Sequence, residues 1–265
     1  MGKILFVLFQ GNSTSLNSWI NTESNFLNRL KKLGYVYMYQ DKSYQIVSKF
    51  YKDTNFDLSY INIDNHIKMV YDSLKNKYKK LNTYHIIPIG FSIGGYMALY
   101  FCQKYNNKCI HCFLLDPSQI TKENIKNRII EKEKNLNSNI NSNINITNKK
   151  FKELLNNIQK TKGTREEINY IRTVSAYLRT IFISKKLKLN LPVKTTSFVN
   201  IQKPQKTPFY NKKRINEIKI LKKINPKNYK AIVLINKTHK VFNKKSTIKH
   251  KSVISHIENI IYNNM

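Results

Sequence analysis

Residues Ile86–Tyr100 read IIPIGFSIGGYMALY, and this stretch decides the fold. A short apolar run meets Gly90-Phe91-Ser92-Ile93-Gly94, and a longer apolar run follows. The pattern G-x-S-x-G between a strand and a helix describes a sharp bend that pushes a serine hydroxyl out at the carboxyl edge of a sheet. Side chains two residues before and two after that serine would collide with the neighbouring strand and helix, so both positions need glycine. With 7 glycines and 18 serines in 265 residues, the bare pattern would arise by chance on the order of once in a hundred such sequences. Gly11, Gly90, Gly94 and Gly95 are four of those seven glycines, so a composition that avoids glycine has kept it here. The competing interpretation is a strand–turn–helix packing motif with an incidental serine.

Working outward, Ile4–Phe9 is a continuous apolar run of the kind a buried parallel strand shows, and it ends at the turn signal Gln10-Gly11-Asn12-Ser13. Trp19, Phe26, Leu27, Leu30 and Leu33 recur at helical spacing, and Gly34 stands where a helix stops. Tyr35–Gln40 reads as a strand, and Ile63, Ile67, Val70, Tyr71 and Leu74 mark a helix through about Lys80. After the bend come a helix over Tyr96–Tyr105 and a strand over Ile110–Leu115, ending at Asp116-Pro117. This alternation predicts an α/β fold: a mostly parallel, twisted sheet flanked by helices. The rhythm breaks over 121–190, which is basic and helical in pattern, with a low-complexity Asn/Ser/Ile tract near 135–149 and a candidate long helix over Glu167–Leu189. Strand signals return at Val193–Ile201 and Ala231–Ile235, separated by a loop over 202–213 and a short helix over Ile215–Ile224. A helix over Thr247–Tyr262 closes the chain. The expected organisation is a core formed by 1–120 and 191–265, with 121–190 inserted as a helical cap.

In this order the elements resemble the α/β-hydrolase superfamily, in its serine esterase and lipase-like branch. IIPIGFSIGGYMALY resembles its nucleophile elbow. Leu5–Trp19, LFVLFQGNSTSLNSW, resembles its early strand and oxyanion loop, with Gln10-Gly11 where the family often has His-Gly. Pro88 departs from the pattern, because it removes a hydrogen-bond donor from the expected central strand. The resemblance implies a serine hydrolase cleaving a carboxylic ester, thioester or amide through an acyl-enzyme, with Ser92 as nucleophile and no cofactor or metal.

A serine hydroxyl needs a base in contact, and the base needs an orienting group. Of six histidines, His66, His250 and His256 fall in expected helices, and His85 and His111 at or within strands; only His239 follows a late strand in a loop, where the family carries its base. The family usually carries its acid after the strand that ends here near Val199-Asn200, but the residues there are Asn200-Ile201-Gln202-Lys203. Asp116, in Leu114-Leu115-Asp116-Pro117, is the alternative, because some lipases of the superfamily place the acid after that earlier strand. Asp116 could instead cap its own turn, leaving Ser92 and His239 to work unaided or through Asn200. The motif assigns the oxyanion hole to the backbone N–H of Ile93, with a second donor from Asn12 or Ser13.

The formal net charge is +32, carried by 41 lysines and only 6 arginines. Residues 1–100 hold 12 Lys/Arg against 6 Asp/Glu, and 101–265 hold 35 against 9. A Lys-rich surface of this kind would bind polyanions weakly and without specificity. Arginine, the better phosphate clamp, is the scarce base, and abundant Lys, Asn, Ile and Tyr are what an AT-rich genome writes by default. Cys102, Cys109 and Cys112 form no disulfide framework, which suggests a reducing, cytoplasmic setting. Cys109-Ile110-His111-Cys112 lacks a second ligand pair for zinc and reads as buried thiols in a strand. No apolar run is long enough for a transmembrane helix. The rival to an enzyme is a catalytically inactive protein of the same fold that binds a ligand or a polyanion.

Overall fold

The first strand, β1 (Lys3–Phe9), is apolar on both faces, as a parallel strand covered on both sides must be. Leu5, Val7 and Phe9 enter one buried cluster, and Phe6 and Leu8 enter another. The computed structural model describes residues 2–11, 24–39, 63–118, 180, 186–201, 208–235, 247–248 and 251–264. The elements then run α1 (Ser24–Leu33), β2 (Tyr35–Tyr39), α2 (Ile63–Lys77), β3 (Tyr84–Phe91), α3 (Gly94–Lys104) and β4 (His111–Leu115). They continue with β5 (Lys194–Ile201), α4 (Pro208–Ile224), β6 (Tyr229–Ile235), β7 (Thr247–Ile248), β8 (Lys251–Ser252) and α5 (Val253–Asn264). β1 to β6 form one parallel sheet in the order β2-β1-β3-β4-β5-β6.

That order makes the chain step outward once, from β1 to β2, and then return past β1 to β3. Right-handed crossovers require helices on opposite steps to lie on opposite faces. Accordingly Phe26, Leu27 and Leu30 of α1 join one cluster, with Val253, Ile254, Ile257 and Ile261 of α5. Ile67, Val70 and Leu74 of α2, most of α3, and Leu221 of α4 join the other. Each fully buried Leu or Phe side chain contributes about 1.5–3 kcal/mol by leaving water. The strand order changes direction between β1 and β3, and in such sheets ligands usually bind beyond the carboxyl ends of the strands at that switch point. No described helix is long and apolar enough to cross a membrane.

The elements follow the expected alternation. α1 ends at Leu33, so Gly34 stops it as expected; a Cβ there would stand 2.6 Å from the carbonyl oxygen of Ile4. Three local differences follow. α4 starts well before Ile215, because Pro208 takes the first helical position, where its missing N–H costs nothing. The expected helix from Thr247 is instead the antiparallel pair β7–β8 followed by α5. Ser252 caps α5 by accepting the N–H of Ser255 on its hydroxyl at 3.4 Å.

The third difference concerns Pro88. Ile86 donates its N–H to Lys108 and accepts from Ile110, both at 3.1 Å, and Ser92 donates to Leu115. The even-numbered residues of β3 therefore turn their backbone groups toward β4, and Pro88 belongs to that series. Between the pairings Ile86↔Cys109 and Ile89↔Phe113 the register advances three residues on β3 but four on β4. An extra residue thus bulges opposite the missing donor. The bulge also breaks the alternation of side chains, so Cys109 and Cys112 share a face and meet Cys102 on α3. Burial, with hydrogen bonds to Cys109 and Cys112, pushes the Cys102 thiol well above its ordinary range. All three cysteines are expected to resist a thiol-specific disulfide reagent in the folded protein and to react in denaturant; a fast native reaction of any of them would contradict this packing.

His111, on β4, hydrogen-bonds Thr196 Oγ1 at 3.0 Å and stacks on Phe113 with ring centroids 4.5 Å apart. Burial, and secondarily the charge of Lys194, lowers its pKa from 6.5 to about 4. Between these values the unfolded chain binds the proton and the folded one does not, so stability is full above about pH 6.5 and declines toward pH 4. Replacing His111 with Gln should flatten that part of the stability–pH curve, as read by urea unfolding at a series of pH values.

Candidate active site

β3 ends at Phe91, and α3 begins at Gly94. The reversal is made in two residues. Ser92 adopts φ 53°, and Ile93 is right-handed helical and serves as the N-cap of α3. Gly95 N–H closes on Ser92 O at 3.0 Å, and Tyr96 N–H on Ile93 O at 3.1 Å. A left-handed non-glycine residue costs about 1–3 kcal/mol and survives only where its surroundings over-determine it.

Those surroundings are backbone. A Cβ on Gly90 would lie 2.4 Å from Gly94 O, and one on Gly94 would lie 2.3 Å from the carbonyl oxygens of both Phe9 and Gln10. The glycines flanking Ser92 therefore let strand, helix and the end of β1 touch. Gly11 also lies beside the serine, though less closely, with a hypothetical Cβ 3.1 Å from the Ser92 Cβ. The turn after β1, expected to carry oxyanion donors, thus leaves the sheet beside the serine. Ile93 lies at the positive end of the α3 dipole.

Asp116 ends β4 and is the other described non-glycine residue with positive φ, 42°. It is 2% exposed. Its N–H donates to Phe198 O at 2.7 Å, and its Oδ1 accepts the N–H of Asn200 at 2.9 Å. The same oxygen accepts from the guanidinium of Arg214 on α4, whose second nitrogen donates to Pro117 O at 3.0 Å. The Asp116 carboxylate therefore lies at the ends of β4 and β5 together, beside the position where the family usually carries its late acid. Asn200 itself is buried there.

Ser92, Ile93, Asp116 and Asn200 thus gather at one edge of the sheet with Gln10 and Gly11. Asn12, Ser13 and His239 lie outside the described residues, as does the tract 135–149, and of 121–190 only Thr180 and residues 186–190 are described. Among the other histidines, His66 and His111 are buried, His85 is exposed at the start of β3, and the His256 ring on α5 lies 6.5 Å from Phe198. A cleft of about 410 Å³ lined by Ile4, Leu33, Tyr35, Ile261 and Tyr262 opens at the amino ends of β1 and β2, the edge opposite Ser92.

Arg214 is the residue that sequence reasoning missed. Its signal was rarity: in a chain that uses lysine for nearly every positive charge, an arginine marks a place where a planar fork is needed. Arg29 behaves alike, forking both carboxylate oxygens of Glu258 to tie α1 to α5.

No protein-family model and no curated protein sequence matches this chain. Solved structures do. The peroxisomal alpha-beta-hydrolase Lpx1 of Saccharomyces cerevisiae is 16% identical with a TM-score of 0.55, covering 100% of this chain and 79% of its own. A structure from work on carboxylesterases of the thaumarchaeon Nitrososphaera gargenis is 15% identical with a TM-score of 0.53, covering 98% and 89%. The NocB thioesterase domain, in covalent complex with a fluorophosphonate nocardicin G analog, is 9% identical with a TM-score of 0.54, covering 98% and 95%. At these identities the likeness is one of fold, and the fold of this chain is that of the α/β-hydrolases.

Gly94→Ala is expected to lower the free energy of unfolding by about 1–3 kcal/mol or more, because the new methyl meets main-chain oxygens that cannot move aside. Gly95→Ala, where the nearest atom would be a Pro117 side-chain carbon at 3.0 Å, should cost less. Urea titrations of the two variants check the order; equal losses would contradict the elbow geometry.

Proposed function

We propose that this chain of α/β-hydrolase fold is a serine hydrolase that cleaves a carboxylic ester, thioester or amide through an acyl-enzyme. The observation that carries the reading is the left-handed Ser92 at a two-residue strand-to-helix reversal, held by backbone contact on both sides. Such strain at a position with no packing need for serine is a feature of functional sites.

In this mechanism Ser92 Oγ attacks the carbonyl carbon while His239 accepts its proton. The carbonyl oxygen becomes an oxyanion, held by the N–H of Ile93 and a donor from Asn12 or Ser13, each such donor typically worth about 2.7–4 kcal/mol in the transition state. The bond to the leaving group breaks as the imidazolium returns the proton to it. Water then repeats the sequence on the acyl-serine, releasing the acid. Asp116 orients the imidazole, and its fixed place at the ends of β4 and β5 supports that role. Residues 121–190 form the cap and set the acyl group accepted. The Lys-rich second part of the chain adds a weak, salt-sensitive affinity for polyanions.

One observation favours the rival of an inactive, ligand-binding protein: the Asp116 carboxylate already pairs with Arg214, and such a pair leaves less negative charge for an imidazolium. A fluorophosphonate probe separates the two. The enzyme reading expects stoichiometric labelling of the folded protein that disappears in Ser92→Ala and slows steeply in His239→Ala, with turnover in a panel of fluorogenic esters of graded chain length. A folded protein that takes no label would favour the binding protein.

A further inference from the structure

We propose that Arg214 is a positioning residue for Ser92, acting through the turn after β4 rather than on the substrate; this rests on Ser92 being the nucleophile. One short segment grips the Ser92 main chain twice. Leu115 O accepts the Ser92 N–H at 3.0 Å, and Ser118 N–H donates to Ser92 O at 3.0 Å. Between those two contacts the segment passes through Asp116, itself left-handed. The two strained residues thus brace each other, and the serine is only as well placed as the turn that holds it.

Arg214 closes that turn from a distant part of the chain. One arm of its guanidinium bonds the Asp116 carboxylate, and the other reaches Pro117 O at 3.0 Å, joining the side chain of one residue to the carbonyl of the next. Asp116 is held further by Phe198 O and by Asn200 N–H. Pro117 stacks against the elbow itself, because a Cβ on Gly95 would meet its ring at 3.0 Å. Arg214 is 4% exposed, so water does not compete for either arm. A lysine could neutralise Asp116 from one point but could not span both acceptors.

The test uses the full-length protein and Arg214→Lys, with Ser92→Ala as the blank. Thermal unfolding reports the fold, and the second-order rate of fluorophosphonate labelling reports the nucleophile. Arg214→Lys is expected to unfold within a few degrees of the parent yet to label ~10- to 100-fold more slowly, as a small misplacement of a reacting group does. With an ester that turns over, kcat should fall while KM stays within about twofold, a split that loss of binding would not produce. Should Arg214→Lys fail to fold, Arg214→Gln, which keeps one donor for Asp116 and buries no cation, is measured in the same way. Labelling at the parental rate in a folded variant overturns the positioning role and leaves the nucleophile assignment intact. A parent protein that takes no label overturns both.

Discussion

The rest of this molecule depends on a main-chain contact in which no side chain takes part. Gly94 lies against the carbonyl oxygens of Phe9 and Gln10, and Gly90 lies against Gly94, at distances that leave no room for a methyl group. Because these three backbones touch, β3 can end, reverse and begin α3 within two residues. α3 is thereby laid directly on the sheet, and nearly its whole surface is buried. The same contact brings the end of β1 beside Ser92, at the point where the strand order changes direction. The start of α3, the strained serine and their place at the switch point therefore have one geometric cause.

Among the described residues, the buried basic side chain outside the histidines is Arg214, while Arg29 is half-buried. Lysine supplies most of the +32, and no described lysine is among the buried residues. Arg29 fixes α1 to α5, and Arg214 fixes α4 to the turn after β4. Burying an ion pair costs desolvation that its attraction often only offsets, so such pairs are better understood as devices of geometry than of stability. Each arginine reaches at least two acceptors at once from a rigid fork, which a point charge cannot do.

Much of the architecture was legible because its signals are local. A parallel strand covered on both faces is continuously apolar, and a helix on one face repeats every three to four residues; β1, β3, β4 and α2 obey these rules closely. Legibility failed where partners from elsewhere in the chain intervene. The bulge opposite Pro88 depends on the pairing of β3 with β4, so the shared face of Cys109 and Cys112 cannot be read from strict alternation. The strands β7 and β8 are only two residues each, too short to show any period. α4 begins at a proline that looks, in isolation, like part of a loop.

The site divides in the same way. Sequence alone determined the strand-to-helix bend at Ser92–Ile93 and the glycines around it, because such a bend needs particular residues at fixed spacing within five positions. It also singled out Asp116 as a carboxyl group at a strand end. Only the tertiary structure decided what that carboxylate touches. Asn200 and Arg214 lie far along the chain from Asp116, and no spacing rule links them to it. They meet because parallel strands β4 and β5 end side by side and α4 folds back across them. Local steric rules act between neighbours in sequence and can be read there, whereas a hydrogen bond across the sheet exists only once the strands have paired.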